Sequence, residues 1–326
     1  MKRFFLLLAA VALLLTGCTG SGAAEDTFTA MDTYVSVRIW GNEVLVEEVT
    51  ATIQELEQLL SVTDENSELW ALNQNGSAQL SAHTTAVLSQ ALALSERTGG
   101  AFDPTVYPMV RAWGFTTENY MVPDAASLEA LVVGAEHVHL DGQDITLDEG
   151  AAIDLGGIAK GYASQVCIDM LKERGVEAAI LTLGGNVQTL GSKPDGSDWL
   201  IGISDPEAPS EAIVKLRFTG SMALVTSGGY QRYFEEDGVR YHHIIDPATG
   251  CPAETDLVSV TILAEDGTTA DALSTALFVM GSQAALDFWC ASDDFEAVLI
   301  LEDGSILATE GAAPLLFDCE FATVSR

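Results

Sequence analysis

Residues 199–263 read WLIGISDPEAPSEAIVKLRFTGSMALVTSGGYQRYFEEDGVRYHHIIDPATGCPAETDLVSVTIL. Short runs rich in β-branched and aromatic residues recur at Trp199–Ile203, Ile213–Phe218, Ala223–Thr226, Arg240–Ile245 and Leu257–Leu263, with Gly, Asp and Pro between them. That is the pattern of strands joined by turns. Few helices directly join successive strands in this half of the chain, and a parallel pair needs such a crossover. The segment therefore predicts largely antiparallel sheets and places the chain in the α+β class, not among doubly wound parallel sheets.

Outward from this segment the period changes. Thr269–Met280 and Gln283–Ala291 read as helices and Ala297–Leu301 as a late strand. Upstream, Ile158–Arg174 is helical and closed by Gly175, and a strand follows near Ala179–Leu183. Asp32–Trp40 alternates like a half-buried strand, while Glu43–Leu60 carries Leu45, Val49, Ile53, Leu56 and Leu60 at helical spacing. Thr84–Arg97 forms a further helix ended by Gly99-Gly100, and Pro123-Asp124 opens a short one. No repeat, low-complexity tract or linker interrupts the chain, so residues 27–326 read as one domain.

The N-terminus has its own character. Lys2 and Arg3 precede an apolar run, Phe4 to Leu15, and then Leu15-Thr16-Gly17-Cys18. This is the layout of a secretory signal, too short for a permanent span of about 20 residues. Leu-Thr-Gly-Cys also resembles a bacterial lipoprotein processing site, which implies removal of residues 1–17, a lipidated Cys18, and a small, polar tether over 18–26. The expected location is the extracytoplasmic face of the cell membrane, held by lipid. Without Lys2 and Arg3, 12 basic residues face 48 acidic ones, a formal charge of −36. Nucleic acid is excluded as a partner, because its affinity rests on neutralising phosphates with Lys and Arg. A phosphate-bearing ligand would need a local positive device. Cys167, Cys251, Cys290 and Cys319 are widely spaced without a C-x-x-C pair; export permits disulfides, and buried free thiols serve as well.

Three segments could carry chemistry. In Asp154-Leu155-Gly156-Gly157-Ile158-Ala159-Lys160-Gly161-Tyr162 a strand ending at Ile153 runs through glycines into a helix. Such a turn lets backbone N–H groups face an anion, and Lys160 adds a charge; a plain tight turn explains the glycines equally well. In Ala270-Asp271-Ala272-Leu273-Ser274-Thr275-Ala276 the helix gathers Asp271, Ser274 and Thr275 on neighbouring positions. Hard oxygen donors with one carboxylate suit magnesium, although an Asp/Ser/Thr cluster also starts helices. In Tyr241-His242-His243-Ile244-Ile245-Asp246-Pro247-Ala248-Thr249-Gly250, strand alternation sends the two histidines to opposite faces. One imidazole could serve as a general base. His137 and His139 share a strand face, with nothing nearby to complete a metal site. G-x-S-x-G, S-x-x-K and H-E-x-x-H are absent, so the common serine-hydrolase, penicillin-binding and zinc-protease routes find no support.

In this order the three segments resemble the ApbE family of FAD:protein FMN transferases, many of them exported lipoproteins. The resemblance runs from Met31 to Gly281. It includes Met31-Asp32-Thr33, Gly100-Ala101-Phe102-Asp103-Pro104-Thr105-Val106, Trp113-Gly114-Phe115, Leu183-Gly184-Gly185-Asn186 and Thr226-Ser227-Gly228-Gly229-Tyr230. It implies an α+β, tunnelling-fold-related architecture of mainly antiparallel sheets flanked by helices, with FAD in a cleft and Mg²⁺ at its pyrophosphate. Carried over by motif, Met31, Ala101, Phe102, Asp103, Asp154, Lys160, the Ile245 backbone and, after the first helix, Thr63 would touch FAD. Gly157 through its backbone, Asp271, Ser274 and Thr275 would hold the metal, and His243 would be the base. Asp32 and Gly229 depart from the family pattern, as do Ala248 and Ser274, which is an aspartate in some members. The implied reaction splits FAD, attaches FMN to a Ser/Thr of a flavin-carrying subunit of a membrane redox complex, and releases AMP. With water as acceptor the same site would be an FAD pyrophosphatase; without chemistry the chain would be an FAD-binding lipoprotein.

Overall fold

The alternating stretch after Asp32 is the second arm of a hairpin. β1 (Ala23–Ala30) pairs antiparallel with β2 (Thr33–Trp40) across Met31-Asp32. Both turn residues take left-handed φ, 53° and 56°, the geometry that matches strand twist in two-residue hairpins. Asp tolerates it; Met does so under strain. Composition had assigned 18–26 to the tether, but Ala23–Asp26 belong to this strand. The computed structural model describes residues 22–41, 43–208 and 210–326; the signal segment and Cys18 lie outside them.

The apolar spacing after Glu43 becomes α1 (Val44–Leu60), which buries Leu45, Val49, Ile53, Leu56 and Leu60. α2 (Glu68–Asn75), β3 (Ser77–Gln79), α3 (Ala82–Arg97), α4 (Tyr107–Ala112) and α5 (Ala125–Glu129) follow. β4 (Val138–Asp141) and β5 (Asp144–Leu147) complete a small sheet with β3. After α6 (Ala159–Glu173) come β6 (Ala178–Leu183), β7 (Asn186–Leu190), β8 (Trp199–Ser204), β9 (Ala212–Phe218) and β10 (Met222–Gly228). β11 (Tyr233–Glu236), β12 (Val239–His242), β13 (Leu257–Ala264), α7 (Gly267–Cys290), β14 (Phe295–Leu301), β15 (Ile306–Thr309), β16 (Leu316–Phe317) and β17 (Ala322–Val324) end the chain. The two helices expected over 269–291 are one helical stretch broken at Gly281, where φ is 76° and ψ 167°.

The central sheet runs β1-β2-β6-β7-β10-β13-β14-β15-β17, antiparallel throughout except for the parallel β15–β17 pair. Alternate side chains serve two cores. Val35, Val37, Val225, Ile262 and Leu299 face the helices. Leu224, Leu263, Val298 and Ile300 pack against Trp199, Val214, Leu216 and Phe218 of the β8–β9 hairpin. With both faces covered, β13 and β14 carry apolar residues on both sides, which explains their near-continuous hydrophobic sequence.

Two expectations change. Residues 151–155 form no strand. They are held by the Asn73 side chain, whose Nδ2 donates to Ile153 O at 2.8 Å and whose Oδ1 accepts from Ile153 N at 2.7 Å. A side-chain amide offers the same donor and acceptor as a neighbouring strand, so no ladder is needed. β12 also stops at His242, leaving His243 just beyond it. Cys167, Cys251, Cys290 and Cys319 are all free thiols.

Candidate active site

The sheet registry gathers one set of chain reversals at one end. Val35 lies opposite Leu183, Asn186 opposite Val225 and Gly228 opposite Ser259. The Met31 turn, the Gly184-Gly185 turn and the end of β10 therefore share that edge. The N-terminus of α6 and the Asp271–Thr275 stretch of α7 join them there through the bonds that follow.

The Asp154 loop enters this edge already constrained. Asp154 N donates to Pro104 O at 2.7 Å, and Asp154 Oδ1 accepts from Gly156 N at 2.7 Å. Burial pushes the carboxyl up, against that N–H and the positive charges of Arg232 and Lys160. Lys160 Nζ donates to Gly156 O at 3.1 Å, folding its charge back over the first turn of α6. A Cβ on Gly157 would sit 3.2 Å from the Phe102 ring and 3.5 Å from Thr275 Oγ1. That places the 101–103, 154–160 and 271–275 segments together.

Asp271 is 3% exposed and faces the start of α6, where Gly161 N donates to its Oδ2 at 2.7 Å. A carboxylate at a helix N-terminus is favoured by the exposed N–H groups and the helix dipole. Glycine at 161 is required by packing: an added Cβ would lie 2.2 Å from Gly267 O and 2.5 Å from Asp271 Cβ. Ser274 Oγ donates to Asp271 O at 2.8 Å and therefore accepts from Ser227 Oγ at 2.8 Å. Ser274, 0% exposed, is thus engaged by two protein partners. Thr275 Oγ1 makes one longer contact, 3.4 Å to Ser227 Oγ, which leaves its lone pairs available. The second Asp271 oxygen accepts no hydrogen bond among the described residues.

His243 completes the arrangement from the β12 side. Its Nδ1 lies 3.1 Å from Arg232 O, and its backbone N donates to the same oxygen at 3.0 Å. A carbonyl can only accept, so Nδ1 carries the proton and Nε2 keeps its lone pair. Burial pushes the imidazole down to about 3, so it is neutral at physiological pH. Phe115 meets the ring edge-on at 6.5 Å. His242 instead packs edge-on against Phe278 at 5.5 Å and bonds Ala253 O at 3.2 Å, a core role.

A family model described as the ApbE family matches residues 31–299. The chain belongs to the ApbE family. A curated relative from Vibrio cholerae, an FAD:protein FMN transferase, is 35% identical over 301 residues, covering 88% of this chain and 90% of its own. One from Treponema pallidum with the same description is 36% identical over 287 residues, covering 82% and 79%. A solved structure of the ApbE protein from Thermotoga maritima superposes with a TM-score of 0.83 at 36% identity, covering 91% of this chain and 100% of its own. A structure described as flavin transferase ApbE from Vibrio cholerae gives 0.78 at 30% identity, covering 91% of this chain and 100% of its own.

Other motif residues of this ApbE chain stand further from the centre. Asp103 caps the turn at Pro104, with Oδ1 accepting from Thr105 N and Oγ1 at 2.8 and 2.5 Å and Oδ2 from Ser95 Oγ at 3.2 Å. Both oxygens are used inside the protein. Ala101 is half-buried beside it. Thr63 is exposed and contacts Ser61 Oγ at 3.3 Å; its loop meets the site through Tyr107, whose hydroxyl donates to Val62 O at 3.4 Å. Met31 N donates to Glu57 Oε1 at 2.6 Å. Ile245 bridges Pro252, and the flanking bonds run from Ala253 N to Ile244 O and from Asp246 N to Cys251 O. In such a pair the Ile245 N–H and C=O point away from its partner. Ser227, Asn73 and Arg232 escaped the sequence reading as site residues. Ser227 lay in a quoted motif, but its bond to Ser274 spans 47 residues; no local signal marks Asn73 or Arg232.

Proposed function

We propose that the chain is an FAD:protein FMN transferase that moves FMN from FAD to a Ser or Thr hydroxyl of a flavin-carrying subunit of a membrane redox complex. The observation that carries this is the convergence, at one sheet edge, of a neutral base with a free Nε2, a lysine over a helix N-terminus, and a one-carboxylate oxygen cluster. The names of the relatives point the same way.

The oxygen set fits magnesium, which takes one or two carboxylates with other hard oxygens. Among the described residues no group of three or more His, Cys, Asp or Glu could hold a metal, so softer multi-ligand sites gain no support. Gly157 through its backbone, Asp271 and Thr275 would hold the ion, with Ser274 steadying Asp271; once bound, it supplies neutralisation of charge on the diphosphate. Met31, the 101–103 turn, Asp154 and the outward Ile245 amide and carbonyl line the dinucleotide. Lys160 and the N–H groups beyond Gly157 take phosphate oxygens. His243 Nε2 accepts the acceptor's hydroxyl proton. That oxygen then bonds to the FMN-side phosphorus, the bond to the AMP oxygen breaks, and AMP leaves with the electron pair.

Incubation with FAD, MgCl₂ and a candidate acceptor tests this reading, with mass spectrometry of the acceptor and an assay of AMP. The expected result is one FMN less one water on a Ser or Thr, with equimolar AMP. Free FMN with an unmodified acceptor would establish a pyrophosphatase instead, and intact FAD would sink both. We further infer lipid anchoring through Cys18 on the extracytoplasmic face, supported by the Lys2-Arg3 start, the apolar run and the cysteine at its exit. Among the described residues no helix is long and apolar enough to cross a membrane.

A further inference from the structure

Arg232 adjoins the base, and its charge is felt at Asp154. Its backbone carbonyl receives both His243 bonds. Its guanidinium donates through Nη2 to the carbonyl of Phe115, a buried residue whose ring meets His243. The side chain is therefore tethered beside the imidazole by one of its five donors. The remaining donors find no carboxylate. Arg38, Arg97, Arg174 and Arg240 each pair with an acidic residue, whereas Arg232 makes no ion pair among the described residues. Arg232 is exposed to solvent, so the donors that Phe115 does not take are open to a ligand. That charge acts on Asp154 and on His243, in each case ahead of Lys160.

We propose that Arg232 is a second diphosphate-binding cation of this site, taking a phosphate oxygen of the dinucleotide beside His243. A guanidinium presents a planar fork that matches phosphate oxygens, which a lysine does not. Net charge repels such a ligand here, so fixed local cations must draw it in. Lys160 alone is folded over Gly156; Arg232 adds a charge on the base's own side, so the phosphate it grips lies next to the proton acceptor. The inference rests on the transferase reading only for the identity of the substrate.

FAD binding by flavin fluorescence and FAD turnover by AMP release should be compared for wild type, Arg232→Gln, Arg232→Met and Arg232→Lys. The expected result is affinity weakened about tenfold to a hundredfold in the Gln and Met variants, with KM rising by a similar factor and kcat changing less. Lys should recover much of the loss, and added salt should weaken wild type more than Arg232→Gln. Gln keeps a donor for the Phe115 carbonyl but no charge, so Gln binding FAD as wild type does would overturn the proposal whatever Met does. If the variants misfold, phenylglyoxal labelling of wild type decides: FAD should shield Arg232, and unshielded labelling would overturn the proposal. Absence of AMP from wild type supplied with MgCl₂ and acceptor would sink the transferase reading while leaving the binding comparison readable.

Discussion

His243 shows how little of a residue's chemistry its type determines. The imidazole next door, His242, packs on Phe278 and bonds Ala253 O through Nε2, with Nδ1 buried and unpartnered among the described residues, while His243 is oriented by one carbonyl so that Nε2 is free. His243→Ala is expected to slow FMN transfer about 10²–10⁴-fold, the usual worth of a positioned base, with FAD affinity little changed; unchanged transfer would reject the assignment. Because burial holds the group near 3, the acid limb it imposes on kcat belongs well below 6.5, the value of a free imidazole. The same shift has a stability sign. The folded state binds fewer protons than the unfolded one between about 3 and 6.5, so this contribution is complete above about 6.5 and is lost as pH falls toward 3. Asp271→Ala is expected to remove the magnesium dependence of FAD turnover together with most of the turnover. A retained metal requirement in that variant would reject Asp271 as a ligand.

At the scale of elements, the site depends on two close approaches. α6 and α7 meet where Gly161 leaves no room for a Cβ, which brings the Asp271 carboxylate onto an amide of the facing helix. The Asp154 loop is carried on α2 through Asn73, which replaces a strand partner with a side-chain amide. Asn73→Ala would leave the buried Ile153 N–H and C=O without these partners. The expected cost is about 2 kcal/mol of unfolding free energy, read by denaturant titration, with a fall in turnover because Asp154 follows directly. Stability equal to wild type would show that the loop holds itself. The glycine turn and the helix after it were legible over 156–175; the absence of a strand before them was not, because Ala151-Ala152-Ile153 reads the same whether its partner is a strand or one asparagine.

At the scale of the whole molecule, the sheet is covered by helices on one face and by the β8–β9 hairpin on the other. The Met31 turn, the β6–β7 turn and the end of β10 are thereby left at one edge, where α6 and α7 deliver their polar ends. The acidic body, with a formal charge of −34 for the full chain, is repelled by anionic headgroups. The proposed anchoring therefore calls for the lipid on Cys18 and not for surface charge. Cys18→Ser is expected to move the protein from the membrane fraction to the soluble fraction, followed by fractionation and fatty-acid labelling. Continued membrane association and labelling of the variant would remove the anchor from Cys18.

Some properties of this chain are local and needed no coordinates. The period-2 runs of 199–263 set the antiparallel class, the helical spacing after Glu43 and Ile158 set the helices, and the charge balance argued against nucleic acid as a partner. Each depends on neighbours a few residues apart, where sequence order and spatial order coincide. The motif order carried the resemblance to the ApbE family in the same way. Tertiary structure alone decided that residues 23–26 belong to the sheet, that Ser274 answers to Ser227, that Asn73 stands in for a strand and that Arg232 reaches the base. The Ser227–Ser274 and Asn73–Ile153 bonds span 47 and 80 residues, so packing and not local pattern sets them; the 23–26 pairing and the Arg232–His243 contact are made across hairpins, where polar composition gave no sign of them.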